Sequence, residues 1–172
     1  MTTQKMVWSA VCVALGLVFP LVFHLFGGAG AIFLPMHLPV LLAGFILGER
    51  SGALVGIVTP LLSSFWTGMP PLLPVLPVMV VELGVYGYVA GYCYQRRQLP
   101  LVVSLLVTML AGRLAAVLGV MLVAHLLALP LAPFVYLAGM LVTGLPGIVL
   151  QLLVVPFLVR QLEQADIFKN KG

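Results

Sequence analysis

Two ionisable side chains, Glu82 and Arg113, sit inside long apolar runs of the sequence. A charge in such a run is costly unless it meets a partner or a wet cavity, so each marks a candidate functional position. Measured from the outer ends of their runs (assigned below), Glu82 lies about 12 Å deep and Arg113 about 20 Å, at 1.5 Å per helical residue. The long stem of arginine spans that difference by reaching outward. The two runs are consecutive and antiparallel, so two readings follow. The pair is a structural ion pair, or it lines an outward-opening cavity and exchanges its mutual bond for polar groups of a ligand.

Other groups with chemistry fall at similar depth. Met79 is three residues before Glu82 and Tyr86 one turn after it, on the same helix face. A methionine and an aromatic beside a carboxylate suit a planar ring, and they also suit a packed core. Thr59 and Pro60 are expected to break one run, and Thr143, Gly144, Pro146 and Gly147 another, because proline frees a carbonyl that needs a new donor. Trp66, His37 and Tyr136 fall near the outer rim, where aromatics serve as interface anchors or as ligand contacts. From Trp66 to Pro71, with Met69 inside it, the chain reads as a semi-rigid lid, since Pro70, Pro71, Pro74 and Pro77 each fix φ. Gln151 lies about 27 Å down its run, too deep for the same pocket, and is assigned a hydrogen bond between helices. His24 and His125 read as interfacial.

The elements that position these residues are membrane helices. Of 172 residues, 63% are hydrophobic and 7% charged, with a mean hydropathy of +1.24. Soluble chains carry about 25% charged residues. The apolar runs are continuous and do not alternate, which excludes an outer-membrane barrel. Six spans are expected, at about 6–26, 33–48, 51–66, 73–94, 101–127 and 132–159, forming one all-α integral membrane domain. No cleavable leader is read at the start of the chain. With the N-terminus inside, Lys5, Arg50, Arg96, Arg97, Arg160, Lys169 and Lys171 all fall on the cytoplasmic side, and both termini with them. The glycine loop after Phe26, the Trp66 loop and the His125–Pro133 turn then share the outer face. Gly44, Gly48, Gly52 and Gly56, and separately Gly87 and Gly91, recur every four residues, the spacing of close helix packing. Because a turn separates Gly44 from Gly52, the longer series is not expected to form one stripe.

Cys12 and Cys93 lie far apart in predicted spans and read as free thiols, without redox or zinc spacing. No phosphate-binding loop, nucleotide fingerprint, His-Glu-x-x-His or Gly-x-Ser-x-Gly occurs, so the chain carries no recognisable hydrolytic machinery. One acid and one base are also too few for an ion-coupled pump. Any transport energy is expected from another subunit; no enzyme activity, cofactor, metal or nucleic-acid partner is expected.

The sequence resembles the substrate-binding S components of energy-coupling factor (ECF) vitamin transporters over essentially its whole length. The likeness rests on the stretch from Leu34 to Gly48, on Gly56-Ile-Val-Thr-Pro-Leu-Leu-Ser-Ser and on Gly68-Met-Pro-Pro. It also includes Ala10-Val11-Cys12-Val13-Ala14, similar to the Ala-x-x-x-Ala signature with which the first helix docks on a shared transmembrane coupling subunit. The resemblance implies a six-span bundle in the cytoplasmic membrane of a prokaryote, partnered by that coupling subunit and two ATPases. It implies a vitamin-like ligand bound from the outside, with Trp66–Pro71 as lid and Glu82, Tyr86, Arg113 and Thr143 in or near the pocket. It further implies release by toppling of the whole subunit. Glu82 favours a ligand with N–H donors or positive charge, such as a nucleobase-like ring, whereas Arg113 favours a carboxylate or phosphate. An autonomous carrier or channel, or a structural subunit of a membrane complex, is the alternative.

Overall fold

The computed structural model describes residues 2–24, 33–128 and 133–165. The glycine loop at 27–30 lies outside them, as do the side chains of His24 and Tyr136. The chain order is α1 (Thr3–His24), α2 (His37–Leu42, prolonged by a π turn over Ala43–Leu47), α3 (Glu49–Thr67), α4 (Val75–Gly91, prolonged by a π turn over Tyr92–Arg96), α5 (Leu101–Leu126) and α6 (Pro133–Gln164). No strand forms among the described residues.

The bundle is apolar on its outside, and its polar side chains at mid-helix are turned inward into a core that is otherwise apolar. On α5, Leu106, Leu110, Leu114, Leu118 and Leu122 recur every four residues and are all exposed, while Ser104, Thr108, Gly112 and Arg113 on the opposite face are buried. A helix that turns its leucines outward and its hydroxyls inward is built for a hydrocarbon solvent. Four stretches are long and apolar enough to cross a membrane: Thr3–Val22, Val75–Arg96, Leu101–Leu126 and Val142–Gln164. The expected second span is shorter than read, because the helical part His37–Leu47 covers about 16 Å at 1.5 Å per residue. Helix α3 has 19 residues, but its hydroxyl side chains, Pro60 and the Glu49–Arg50 start dilute its apolar run.

Helix α4 is the centre of the bundle, packed most extensively on α3 and α5. The contact with α3 is a backbone-to-backbone approach. A Cβ on Gly52 would overlap the Gly87 carbonyl oxygen, one on Gly87 would overlap that of Gly52, and one on Gly56 would overlap that of Leu83. Gly44 from α2 meets the Gly87 carbonyl as well. The two arms of the glycine series therefore converge on α4 from both sides of the Gly48 turn. The turn restarts the helix but folds both arms onto one partner, which a count along the sequence does not reveal.

The helix interruptions fall elsewhere than the prolines suggested. Helix α3 runs through Pro60, and α6 through Pro146 and Pro156. Losing one N–H opens one rung of the hydrogen-bond ladder without ending a helix that neighbours hold in place. The breaks are the two π turns, which meet each other: Gln95 Nε2 donates to the Phe45 carbonyl at 2.7 Å. Nearby, Arg96 pairs with Glu49 at 3.3 Å and Tyr94 Oη donates to Glu163 at 2.8 Å. One end of the bundle thus gathers charged and phenolic groups, and the cavity opens at the other.

Gln151 is fully buried, yet neither of its side-chain polar atoms has a partner among the described residues. The interhelical hydrogen bond assigned to it is not formed there.

Candidate functional site

Between α4, α5 and the segment leading into α2 lies a cavity of about 530 Å³. Its polar floor comes from three elements: His37 on α2, Glu82 on α4 and Arg113 on α5. Its roof is Met69, Pro70 and Pro71, and its far side is Val135, Gly139 and Thr143 of α6. Pro20 of α1 and Leu34, Pro35 and Met36 close the remaining wall, with Val75 and Met79 from the first turns of α4.

The floor is an ion cluster withdrawn from solvent. Arg113 Nη1 donates to Glu82 Oε1 at 2.7 Å, and His37 Nε2 stands 3.6 Å from the same oxygen. Glu82 is 1% exposed, His37 2% and Arg113 7%. At 3.6 Å the histidine contact is too long for a hydrogen bond. The arginine bridges the depth difference by reaching, and the pair expected between consecutive helices forms.

His37 is not at the rim. It is buried beside Glu82, and its ring meets Tyr86 edge-on, with centroids 5.0 Å apart and planes at 87°. Tyr86 lies behind the floor and does not line the cavity; it is fully buried, with its ring against the Gly112 backbone. A Cβ at Gly112 would overlap that ring, so Gly112 seats Tyr86 and Tyr86 seats His37. The order of support runs from α5 through α4 to α2. Gly144 of α6 lies on the other side of Arg113, where a Cβ would press on the Leu34 side chain at 3.2 Å and meet Nη2 at an ordinary 3.7 Å.

The roof is tied to α3. Ser63 Oγ donates to the Met69 carbonyl and Ser64 Oγ to the Pro70 carbonyl, each at 2.7 Å. Thr67 Oγ1 donates to the Ser63 carbonyl at 2.7 Å and accepts from the Met69 N–H at 3.2 Å. Gly68, at φ +73°, ends α3 in the left-handed region, where only glycine sits without strain. Trp66 is 83% exposed and faces away from the cavity, with Phe65 beside it at 89%. The part of the lid over the cavity is therefore Met69–Pro71 alone. Thr59 is buried against Gly16 of α1 and is not part of the lining.

Met79, Met69, His37, Glu82, Arg113 and Thr143 are thus brought to one cavity, whereas Trp66 and Tyr86 are not in its lining. The segment 34–36 and Ser63 were missed. Leu34 adopts φ +50°, rare for a non-glycine residue, and its carbonyl accepts from the His37 N–H at 3.0 Å. Pro35, two residues before His37, is the available sign of a shaped, non-helical approach.

At the edge of α1, Ala10 and Ala14 are both exposed, on a face that also shows Val7, Val11 and Val18. Neither alanine is part of the cavity lining.

A family model, ECF transporter, substrate-specific component, matches residues 4–159. No curated protein and no solved structure matches the chain.

Proposed function

The chain belongs to the ECF transporter substrate-specific component family, and we propose that it captures a small vitamin or cofactor precursor in the cavity above the His37–Glu82–Arg113 cluster. The family consists of transporter subunits and not of enzymes. The observation that carries the reading is the cavity itself: a mostly apolar space of about 530 Å³, open at one end, with one buried charge cluster as its floor. That volume lies within the range of small-molecule sites, roughly 300–1,000 Å³, and the pattern of apolar walls with few polar groups is theirs as well.

In this reading all six helices lie across the cytoplasmic membrane of a prokaryote. Helix α2 is a short crossing enclosed by the bundle, and the Glu49–Arg96 end faces the cytoplasm. The positive-inside pattern supports that orientation, and it puts the Met69–Pro71 roof on the outer side, where a nutrient arrives. Glu82, Arg113 and His37 hold polar groups of the ligand; Met79, Met69 and Thr143 contact its body. Tyr86 acts by positioning His37. Energy comes from a transmembrane coupling subunit with two ATPases, docked through the exposed Ala10–Ala14 face of α1, where small side chains allow close helix approach.

The test is ligand binding by the purified chain in detergent, read by thermal shift against vitamins and modified nucleobases. A saturable shift is expected, lost in Glu82→Ala and in Arg113→Ala. Unchanged affinity in both variants would remove the site from the proposal. Uptake by the chain alone in ATP-free liposomes would remove the coupling partners.

A further inference from the structure

The floor of the cavity is unevenly satisfied. Arg113 commits Nη1 to Glu82, while its Nε and Nη2 are buried without a partner among the described residues. Both His37 ring nitrogens are in the same condition. On Glu82, both contacts fall on Oε1. The cluster therefore offers N–H donors that need an acceptor, next to a second carboxylate oxygen that can take an N–H. Glu82 and Arg113 already balance each other's formal charge, −1 against +1.

Those two properties select among ligand chemistries. A carboxylate or phosphate would satisfy the free arginine N–H groups, but would bring an uncompensated negative charge beside Glu82 into a desolvated site. An ammonium would face the same problem against Arg113. An uncharged amide or lactam edge, with C=O next to N–H, satisfies donors and acceptor together and leaves the charge balance intact. The walls fit a flat body: Met36 and Met79 are soft and adaptable, and Pro35 and Pro70 add rigid apolar lining.

We propose that the cavity selects an uncharged, flat heterocycle through an amide-type edge. Its carbonyl accepts from the Arg113 guanidinium and its N–H donates to the free oxygen of Glu82, in preference to the carboxylate, phosphate or ammonium forms of the same skeleton. This rests on the ligand-binding reading above and narrows it to a chemical class.

The experiment uses the full chain in detergent and a library of matched pairs. Each pair sets an uncharged compound against its ionised counterpart: nicotinamide with nicotinate, pyridoxine with its 5′-phosphate, riboflavin with its 5′-phosphate, and free nucleobases with their monophosphates. Affinities are measured by thermal shift and equilibrium dialysis. At least one uncharged member is expected to bind, with its charged counterpart roughly 100-fold weaker or more, because a site built around specific polar groups discriminates at that level. In Glu82→Gln the cluster gains a net positive charge, and the ratio is expected to move at least about tenfold toward the anionic member. A charged member that binds more tightly to the unaltered chain overturns this inference and leaves the ligand-binding reading standing. An unmoved ratio in Glu82→Gln overturns the assignment of the edge to Glu82. If no member of any pair binds, the ligand-binding reading itself falls, and this one with it.

Discussion

The Glu82–Arg113 pair allows a quantitative test of whether the floor is a desolvated ion cluster. Glu82 is 1% exposed, Arg113 7%, and their single close contact is 2.7 Å. If Arg113 is replaced by Met, which keeps most of the apolar stem, the buried carboxylate is left with His37 at 3.6 Å as its nearest cation candidate. Removing one partner of a buried pair costs about 3–5 kcal/mol, because the other charge stays uncompensated. Glu82→Met leaves the guanidinium in the same position and belongs in the same range. The double variant leaves no charge behind, and apolar replacement of a whole buried pair is near neutral or stabilising. Glu82→Met/Arg113→Met is therefore expected to be more stable than either single variant. The assay is unfolding of the detergent-solubilised chain by denaturant titration, followed by Trp8 and Trp66 fluorescence. Additive losses, or single losses below about 1 kcal/mol, would show that water reaches the pair, since exposed ion pairs contribute no more than that. Ligand binding separates stability from function: all three variants are expected to lose it, including the stable double one.

Three further outcomes test the rest of the architecture. Gly52→Ala sets a methyl group against the Gly87 carbonyl, backbone against backbone; the melting temperature is expected to fall, with a cost of at least about 1–3 kcal/mol for overpacking. Ser63→Ala/Ser64→Ala removes the two serine hydrogen bonds that tie the roof to α3. Each is worth about 1 kcal/mol, so faster ligand release with little change in unfolding is expected in stopped-flow measurements. Trp66→Ala, at a position 83% exposed and outside the cavity, is expected to leave affinity within about twofold, since surface substitutions away from special features shift stability by no more than about 0.5 kcal/mol. A larger loss by equilibrium dialysis would restore Trp66 to the lid.

The parts of the site legible in the sequence were those that break a membrane rule. Glu82 and Arg113 stood out because charge in an apolar run needs a reason, and a stem-length argument was enough to pair them. The glycines stood out by spacing. His37 reads as a rim residue because the sequence puts it near the start of its span, bracketed by Pro35 and Pro39. The chain enters α2 through Leu34 at positive φ and Pro35, and His37 sits inward, against Glu82. Tyr86 was placed on the right face of α4, but a helical wheel cannot show that Gly112 of another helix leaves room for the ring. The π turns had no sequence signal that outweighed the prolines. Their signature is one extra residue per turn and a carbonyl that finds Gln95 fifty residues away.

The cavity is assembled from two kinds of wall, and that division bears on how a ligand enters. Its floor stands on α2, α4 and α5, which are closely fitted: Gly44 of α2 meets the Gly87 carbonyl of α4, and Gly112 of α5 meets the Tyr86 ring, at distances that exclude a methyl group. Its roof and far wall are attached differently. Met69–Pro71 is held by a few hydrogen bonds, from Ser63, Ser64 and Leu76 and to Thr67, and among the described residues α6 packs mainly on α5, with Val135, Gly139 and Thr143 near its upper end. Opening the roof breaks a few hydrogen bonds of modest net worth each, whereas moving the floor would separate a desolvated ion pair and unpack close helix contacts. Ligand exchange should therefore work through the roof and the upper part of α6, with the His37–Glu82–Arg113 geometry preserved in the open state. A crosslink between the roof and α6, such as a bifunctional thiol reagent joining cysteines placed at Met69 and Gly139, is expected to trap bound ligand and block uptake by empty protein. A crosslinked variant that exchanged ligand at the unaltered rate would place the path elsewhere, between α1 and the Leu34–Met36 wall.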